Sequence, residues 1–423
     1  MYRVTRLPNG LTVATAEMQH MASVSLGLWV GVGGRFEPKE LNGVSHFIEH
    51  MLFKGTRKRT AKEISQSVEG IGGYLNAFTS EENTCFYSKA RHDKFDELLD
   101  VLMDMFHNST FEPSEIEKER GVIKGELAMY LDQPHHYVHE LLNETLWPDH
   151  PLGRSLTGTE KTIDRMGRRQ LLNYQDENYI STTTLIVAAG NLRHEKVVQA
   201  VKRYAGRFPQ GKRPHFQPFE GTQDCARVRL FTKATAQMQI ALGIRACSRH
   251  DERRYALRVL NTILGENMSS RLFQVLREDR GLAYSIHSGL SFFDDVGTLT
   301  ISAGLDTDKL PQALKLILLE LKRCAAAAPG AAEMRRARDY LVGQLDLSLE
   351  NTENQMTWVG EQLLAYGKVI SPKETKERLG EVKPVQVRAV AKEFFRPERM
   401  NLAVVSPLKQ ADGLTTLLSR TAN

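Results

Sequence analysis

The chain has 423 residues, too many for one ordinary hydrophobic core, so two domains are the prior. Its 41% hydrophobic and 25% charged residues suit a soluble globular protein, and the net charge of +5, from 56 basic and 51 acidic side chains, is mild. No Lys/Arg block or basic-aromatic stripe speaks for nucleic acid and no apolar run approaches bilayer length; four scattered cysteines without CxxC spacing read as free, reduced thiols.

From the N-terminus, the pattern predicts a hairpin over Tyr2 to Met18, turning at Pro8-Asn9-Gly10. No signal peptide precedes it, which predicts a cytoplasmic, bacterial-type protein; a processed organellar form would look the same. The alternating strand Ser23 to Val30 leads into a helix over Asn42 to Phe53, which carries His46-Phe-Ile-Glu49-His50. A second hairpin spans Tyr74 to Lys89 and turns at Ser80-Glu-Glu-Asn83. The segment Pro113 to Leu131 reads as a strong helix, with Glu119 and Glu126 two turns apart on one face. After Pro134 a further helix opens with His135-His136-Tyr-Val-His139-Glu140. Residues Arg207 to Thr222, with Pro209, Gly211, Pro214, Pro218 and Gly221, have the composition of a linker.

The pattern then repeats. Met238 to Arg245 copies the strand Ser23 to Val30 and leads into a helix over Arg253 to Leu264. Lys124-Gly-Glu-Leu127 has a counterpart in Val342-Gly-Gln-Leu345, and Leu185 to Ala188 matches Leu402 to Val405; the offset stays near 211 to 218 residues. Two homologous α+β domains are predicted, each a mostly antiparallel sheet backed by helices: residues 1–207 and 226–423, joined by a linker over 208–225.

His46 and His50 stand one helical turn apart, so both imidazoles can reach one ion. Glu49 lies on nearly the same face, placed to touch a water rather than the metal. With Glu126 as a later carboxylate, the set makes an open three-ligand zinc site, one per chain, suited to hydrolysis. Glu119 would stand behind the ligands, orienting a histidine or assisting proton transfer; a solvated acidic first turn is the competing reading. The repeat is an internal control. The second copy has Leu257, Leu260, Asn261 and Gln344 where the first has His46, Glu49, His50 and Glu126, so the polar set is an addition to the fold rather than part of its packing. His135 and His139 also have metal-ligand spacing, but no motif carboxylate completes them and a second metal site is not expected.

The stretch His46-Phe-Ile-Glu-His-Met-Leu-Phe-Lys-Gly-Thr56, followed by Glu126, resembles the signature of the inverzincin metallopeptidases, the pitrilysin/insulinase family. The resemblance runs over both domains and is nearest to the processing-peptidase subgroup of half-length chains. It implies a zinc endopeptidase that forms half of a clamshell and cleaves short or unfolded peptides. A dimer would complete the chamber: a homodimer, or a heterodimer with a related chain. It also implies that Gly72 to Thr79 is an edge strand onto which the substrate adds, with Asn76, Ala77 and Phe78 along the peptide. Arg277 would bind substrate carbonyl or carboxylate groups, and Tyr284 would hydrogen-bond an oxyanion. Relatives that prefer a basic side chain near the cut carry two acids in the region held here by His136 and Glu140, which argues against strict arginine-guided cleavage. The alternative is a non-catalytic or partner-dependent subunit of a heterodimeric processing peptidase, though such subunits typically lack the motif that this chain keeps.

Overall fold

Eleven strands form two sheets in a computed structural model that describes residues 2–411 and 413–420, the side chains of 419 and 420 excepted. Met1 and residues 421–423, the outermost positions of the two predicted domains, lie outside the described residues.

The first sheet has the order β1-β2-β6-β3-β5-β4, with β1 Tyr2–Arg6, β2 Thr12–Glu17, β3 Ser23–Val30, β4 Tyr74–Thr79, β5 Thr84–Arg91 and β6 Thr184–Gly190. All neighbours are antiparallel except β2 and β6. The second sheet has the order β7-β11-β8-β10-β9, with β7 Arg227–Thr232, β8 Met238–Ala246, β9 Ala283–Phe292, β10 Gly297–Leu305 and β11 Met400–Ser406. Here only β7 and β11 are parallel. Apart from β1, the two sheets have the same strand order, so the sequence repeat is a repeat of topology. The fold is α+β, with the two hairpin turns where the sequence places them.

The chain divides into two units: Met1–Ala128, Arg154–Gln217 and Leu347–Val369 form the first, and Met129–Gly153, Pro218–Asp346 and Ile370–Asn423 the second. The crossing at Gln217/Pro218 falls inside the 208–225 linker. The division otherwise differs from two uninterrupted domains at 1–207 and 226–423, because each half lends one helix to the other's sheet. The helix Pro134–Leu146 packs over β7, β11 and β8, and the helix Thr352–Tyr366 packs over β2, β3 and β6. The exchange is symmetric, so both helices sit at matching places in the repeat, and self-similarity alone gives no sign of it.

These loaned helices cover the second face of β3 and β8, so both strands are buried on both faces although the sequence reads them as alternating. One face of β3 joins the core with Phe47, Ile48 and Leu102, while Trp29 on the other packs among Met356, Val359 and Leu363. The indole Nε1 of Trp29 lies 3.3 Å from Met356 Sδ, and Gly360 is required beside it, since a Cβ there would come within 2.4 Å of the ring. Gly27 of β3 likewise faces Met356, and at the corresponding step of the second unit Gly243 of β8 lets Leu142 and Leu146 approach.

Candidate metal centre

The helix that carries the histidines runs Val44–Leu52, slightly shorter than the sequence pattern suggests, and buries Val44, Phe47, Ile48, Met51 and Leu52. Gly43 at its start has φ of 94°, a left-handed value that suits glycine, and offers no side chain to cap the turn. The cap comes from Glu37, which is 3% exposed. Its carboxylate accepts hydrogen bonds from the Gly43 and Ser45 N–H groups, at 2.7 and 2.9 Å, and from the Asn42 amide at 3.1 Å. A negative charge at a helix N-terminus satisfies orphan N–H groups and complements the helix dipole. Burial pushes the Glu37 pKa up, and these hydrogen bonds oppose the shift.

With its apolar stripe fixed in the core, the helix presents His46, Glu49 and His50 on its other face. The helix Pro113–Asp132 brings Glu126 to them: Glu126 Oε2 lies 3.6 Å from Nε2 of both His46 and His50. Among the described residues, these three form the one group of histidine, cysteine or acidic side chains whose donor atoms are mutually close enough to share an ion. Ligand atoms about 2.0–2.1 Å from a tetrahedral zinc stand roughly 3.4 Å apart, so the two separations from Glu126 fit that ion with little movement. Three ligands leave one position open.

Glu119, two turns before Glu126, is 4% exposed and accepts from His50 Nδ1 at 3.0 Å. Lys54 Nζ pairs with its other oxygen at 2.7 Å. A carboxylate can only accept, so the proton of a neutral His50 sits on Nδ1 and Nε2 keeps the lone pair that a metal needs. For His50, burial lowers the pKa but the hydrogen bonds and charges of Glu126 and Glu119 outweigh it, and the net shift is upward. Burial, helped by the neighbouring His50, lowers the His46 pKa to about 4 against the pull of Glu126, so His46 is neutral at pH 7. Glu49 shifts upward, chiefly by burial, while Thr79 Oγ1 donates to its Oε2 at 2.5 Å and restrains the shift.

Thr79 is the last residue of β4, which ties the metal helix to the predicted edge strand. Among the described residues β4 pairs with β5 alone, so its other edge is open. On it, Asn76 Oδ1 accepts from the Ala77 N–H at 2.8 Å. Phe78 is also a packing residue, edge-on to Trp29 with ring centroids 5.5 Å apart.

The other predicted residues lie in the second unit. Arg277 sits in a π-helical turn, Phe273–Glu278, a form often met at functional positions. Its guanidinium carbon is 5.9 Å from the ring centroid of Tyr284, the second residue of β9, which is 74% exposed. Glu140 lies half-buried on the helix Pro134–Leu146. In the second copy, Leu257 and Leu260 are fully buried and Asn261 Oδ1 accepts from Ser288 Oγ at 2.7 Å, an ordinary core helix. Sequence reasoning missed Glu37, Lys54 and Thr79. Lys54 follows His50 by one turn and was within reach of pattern reading; Glu37 and Thr79 act through loop and hairpin geometry that leaves no periodic trace.

The fold and this His-His-Glu cluster are similar to those of the inverted-motif metallopeptidases. The family descriptions "Insulinase (Peptidase family M16)" and "Peptidase M16 inactive domain" match residues 12–160 and 165–341, and the chain belongs to peptidase family M16. It is 38% identical over 413 residues to an "uncharacterized zinc protease" of Streptomyces coelicolor, covering 96% of this chain and 90% of that protein. It is 37% identical over 400 residues to the "uncharacterized zinc protease YmxG" of Bacillus subtilis, covering 94% and 97%. A protease from Helicobacter pylori shares the fold with a TM-score of 0.90 at 20% identity, over 96% of this chain and 99% of that one. The relatives' names and the donor set agree on zinc as the metal.

Proposed function

We propose that the chain is a zinc-dependent endopeptidase, with one zinc per chain, that cleaves short or unfolded peptides added as a strand to the open edge of β4. The observation that carries this reading is the pairing of the His46, His50 and Glu126 cluster with Glu49, itself bonded to the end of that edge strand through Thr79. His46, His50 and Glu126 hold the ion, which when bound supplies Lewis acidity toward a water and the scissile carbonyl. Glu49 takes the proton of the attacking water and delivers it to the leaving amine; burial keeps its basicity above that of a surface carboxylate. Glu119 holds His50 in its ligating tautomer. A substrate carbonyl replaces Asn76 Oδ1 as acceptor for the Ala77 N–H, so backbone pairing gives affinity with little sequence preference. Arg277 and Tyr284 bind substrate carbonyl groups and the oxyanion, and a homodimer encloses the chamber.

No helix among the described residues is long and apolar enough to cross a membrane. The test is Glu49→Gln: zinc content stays at one per chain, while cleavage of a mixed peptide library falls by about 10²-fold or more. Retained turnover by the metal-loaded variant would refute the assignment.

A further inference from the structure

The second unit holds a cavity of about 280 Å³ in which Arg277 is joined by histidines that the zinc chemistry does not use. The loaned helix Pro134–Leu146 covers β7, β11 and β8, and its first turns meet β10 and β9 at the rim. His135 and His139, one turn apart, line one wall; His287 and Ser302, directly opposed on β9 and β10, line another, with Arg277 and Ser285 beside them. The contact between the walls is short, with His139 Nε2 3.3 Å from Ser302 Oγ.

Among the described residues no aspartate or glutamate lines this cavity. Arg277 makes no ion pair with a described residue; its guanidinium lies over the rings of Phe273 and Tyr284, at 5.0 and 5.9 Å. Three imidazoles, a guanidinium without a carboxylate partner, and two hydroxyls thus converge with donors in excess of acceptors. A cation or an arginine side chain would find no counter-charge here. The three imidazoles are not among the groups whose donor atoms stand close enough to share a metal. The chemistry that satisfies the set is a carboxylate: the guanidinium can bind it bidentately and imidazole N–H groups can donate even when neutral.

We infer that this cavity is an anion subsite that takes a carboxylate of a bound peptide, giving the enzyme a preference for peptides that present one. The inference rests on the peptidase reading for the nature of its ligand. The carboxylate could belong to an internal Glu or Asp or to the peptide's own C-terminus, and the experiment separates the two.

Zinc-loaded, full-length Glu49→Gln protein is titrated with three peptides of one sequence. One carries an internal Glu and an amidated end, one Gln and a free C-terminus, and one Gln and an amidated end. The same titrations are run with His135→Ser/His287→Ser added, both sites being exposed and free of core packing. At least one carboxylate peptide should bind about tenfold tighter than the all-amide peptide, and the double substitution should remove most of that preference. Equal affinity for all three peptides, or a preference that survives the double substitution, overturns the inference. Cleavage by the unsubstituted protein is measured in parallel. A binding preference without any zinc-dependent cleavage refutes the peptidase reading alone, and cleavage without a preference refutes the anion subsite alone.

Discussion

Replacing Glu37 by Ala should loosen the metal centre without touching a ligand. The substitution strips a buried acceptor from two backbone N–H groups at the start of the metal helix and from the Asn42 amide. Hydrogen bonds to a charged group are worth about 1.5–3 kcal/mol each, and the loss of charge at a helix N-terminus adds about 0.3–1 kcal/mol. Relief from burying a carboxylate offsets part of this, since burial already pushes the Glu37 pKa up. The three bonds and the helix-end charge sum to roughly 5–10 kcal/mol before that relief, so a net cost of several kcal/mol falls on the turn that contains His46. Misplacing one ligand should weaken zinc by about 10–100-fold, as loss of an orienting partner typically does. The assays are competition for zinc against a chelating dye and amide exchange at Gly43 and Ser45. Zinc affinity within twofold of the parent, together with unchanged exchange at both amides, would refute the role given to Glu37.

Glu119→Gln should weaken zinc by about 10–100-fold in the same competition assay, because an amide can also donate and no longer fixes the His50 tautomer. Removing the bound zinc with a chelator should abolish peptide cleavage, and adding zinc back should restore it in proportion to the metal bound. His107, whose buried Nε2 has no hydrogen-bond partner among the described residues, has its pKa lowered from 6.5 to about 4 by burial, with Arg207 adding to the shift. The unfolded chain therefore binds the extra proton between pH 6.5 and 4: the contribution is complete above 6.5 and lost as the pH falls toward 4. At about 1.4 kcal/mol per pH unit it amounts to about 3 kcal/mol, and His107→Gln should flatten urea midpoints across that window.

Most of the metal set was legible because it is written in helical spacing. His46 and His50 one turn apart, and Glu119 and Glu126 two turns apart, are periodic facts, and the second copy tests them by omission. The repeat also made the topology legible, since Gly27 and Gly243 stand at the same step of equivalent strands, each beneath a loaned helix. The loan itself was not legible. Val138 and Leu142 would suit the outer face of either sheet, and the choice is made by the chain's path rather than by any local residue. Glu37 was invisible for a different reason: a carboxylate in a loop looks solvated until the fold closes over it. The cavity at His135 and His139 lay between these cases, because the helix spacing was plain but its wall of His287 and Ser302 comes from strands far along the chain.

The two copies of the helix also allow the cost of the chemistry to be measured. In the first copy, burial drives His46 down to a pKa of about 4 and pushes Glu49 up, so both side chains pay desolvation that Leu257 and Leu260 do not. If the polar set serves the metal rather than the fold, rebuilding the first copy in the image of the second should stabilise the metal-free protein. The variant is His46→Leu, Glu49→Leu, His50→Asn and Glu126→Gln. Burying two leucines in place of ionisable groups is worth about 1–3 kcal/mol, as when buried ion pairs give way to apolar residues. Calorimetry of the metal-free proteins should show a higher unfolding temperature for the variant, while zinc should raise that of the parent only. A metal-free variant less stable than the metal-free parent would mean that these four residues hold the fold together, and that their absence from the second copy reflects different packing rather than a lost function.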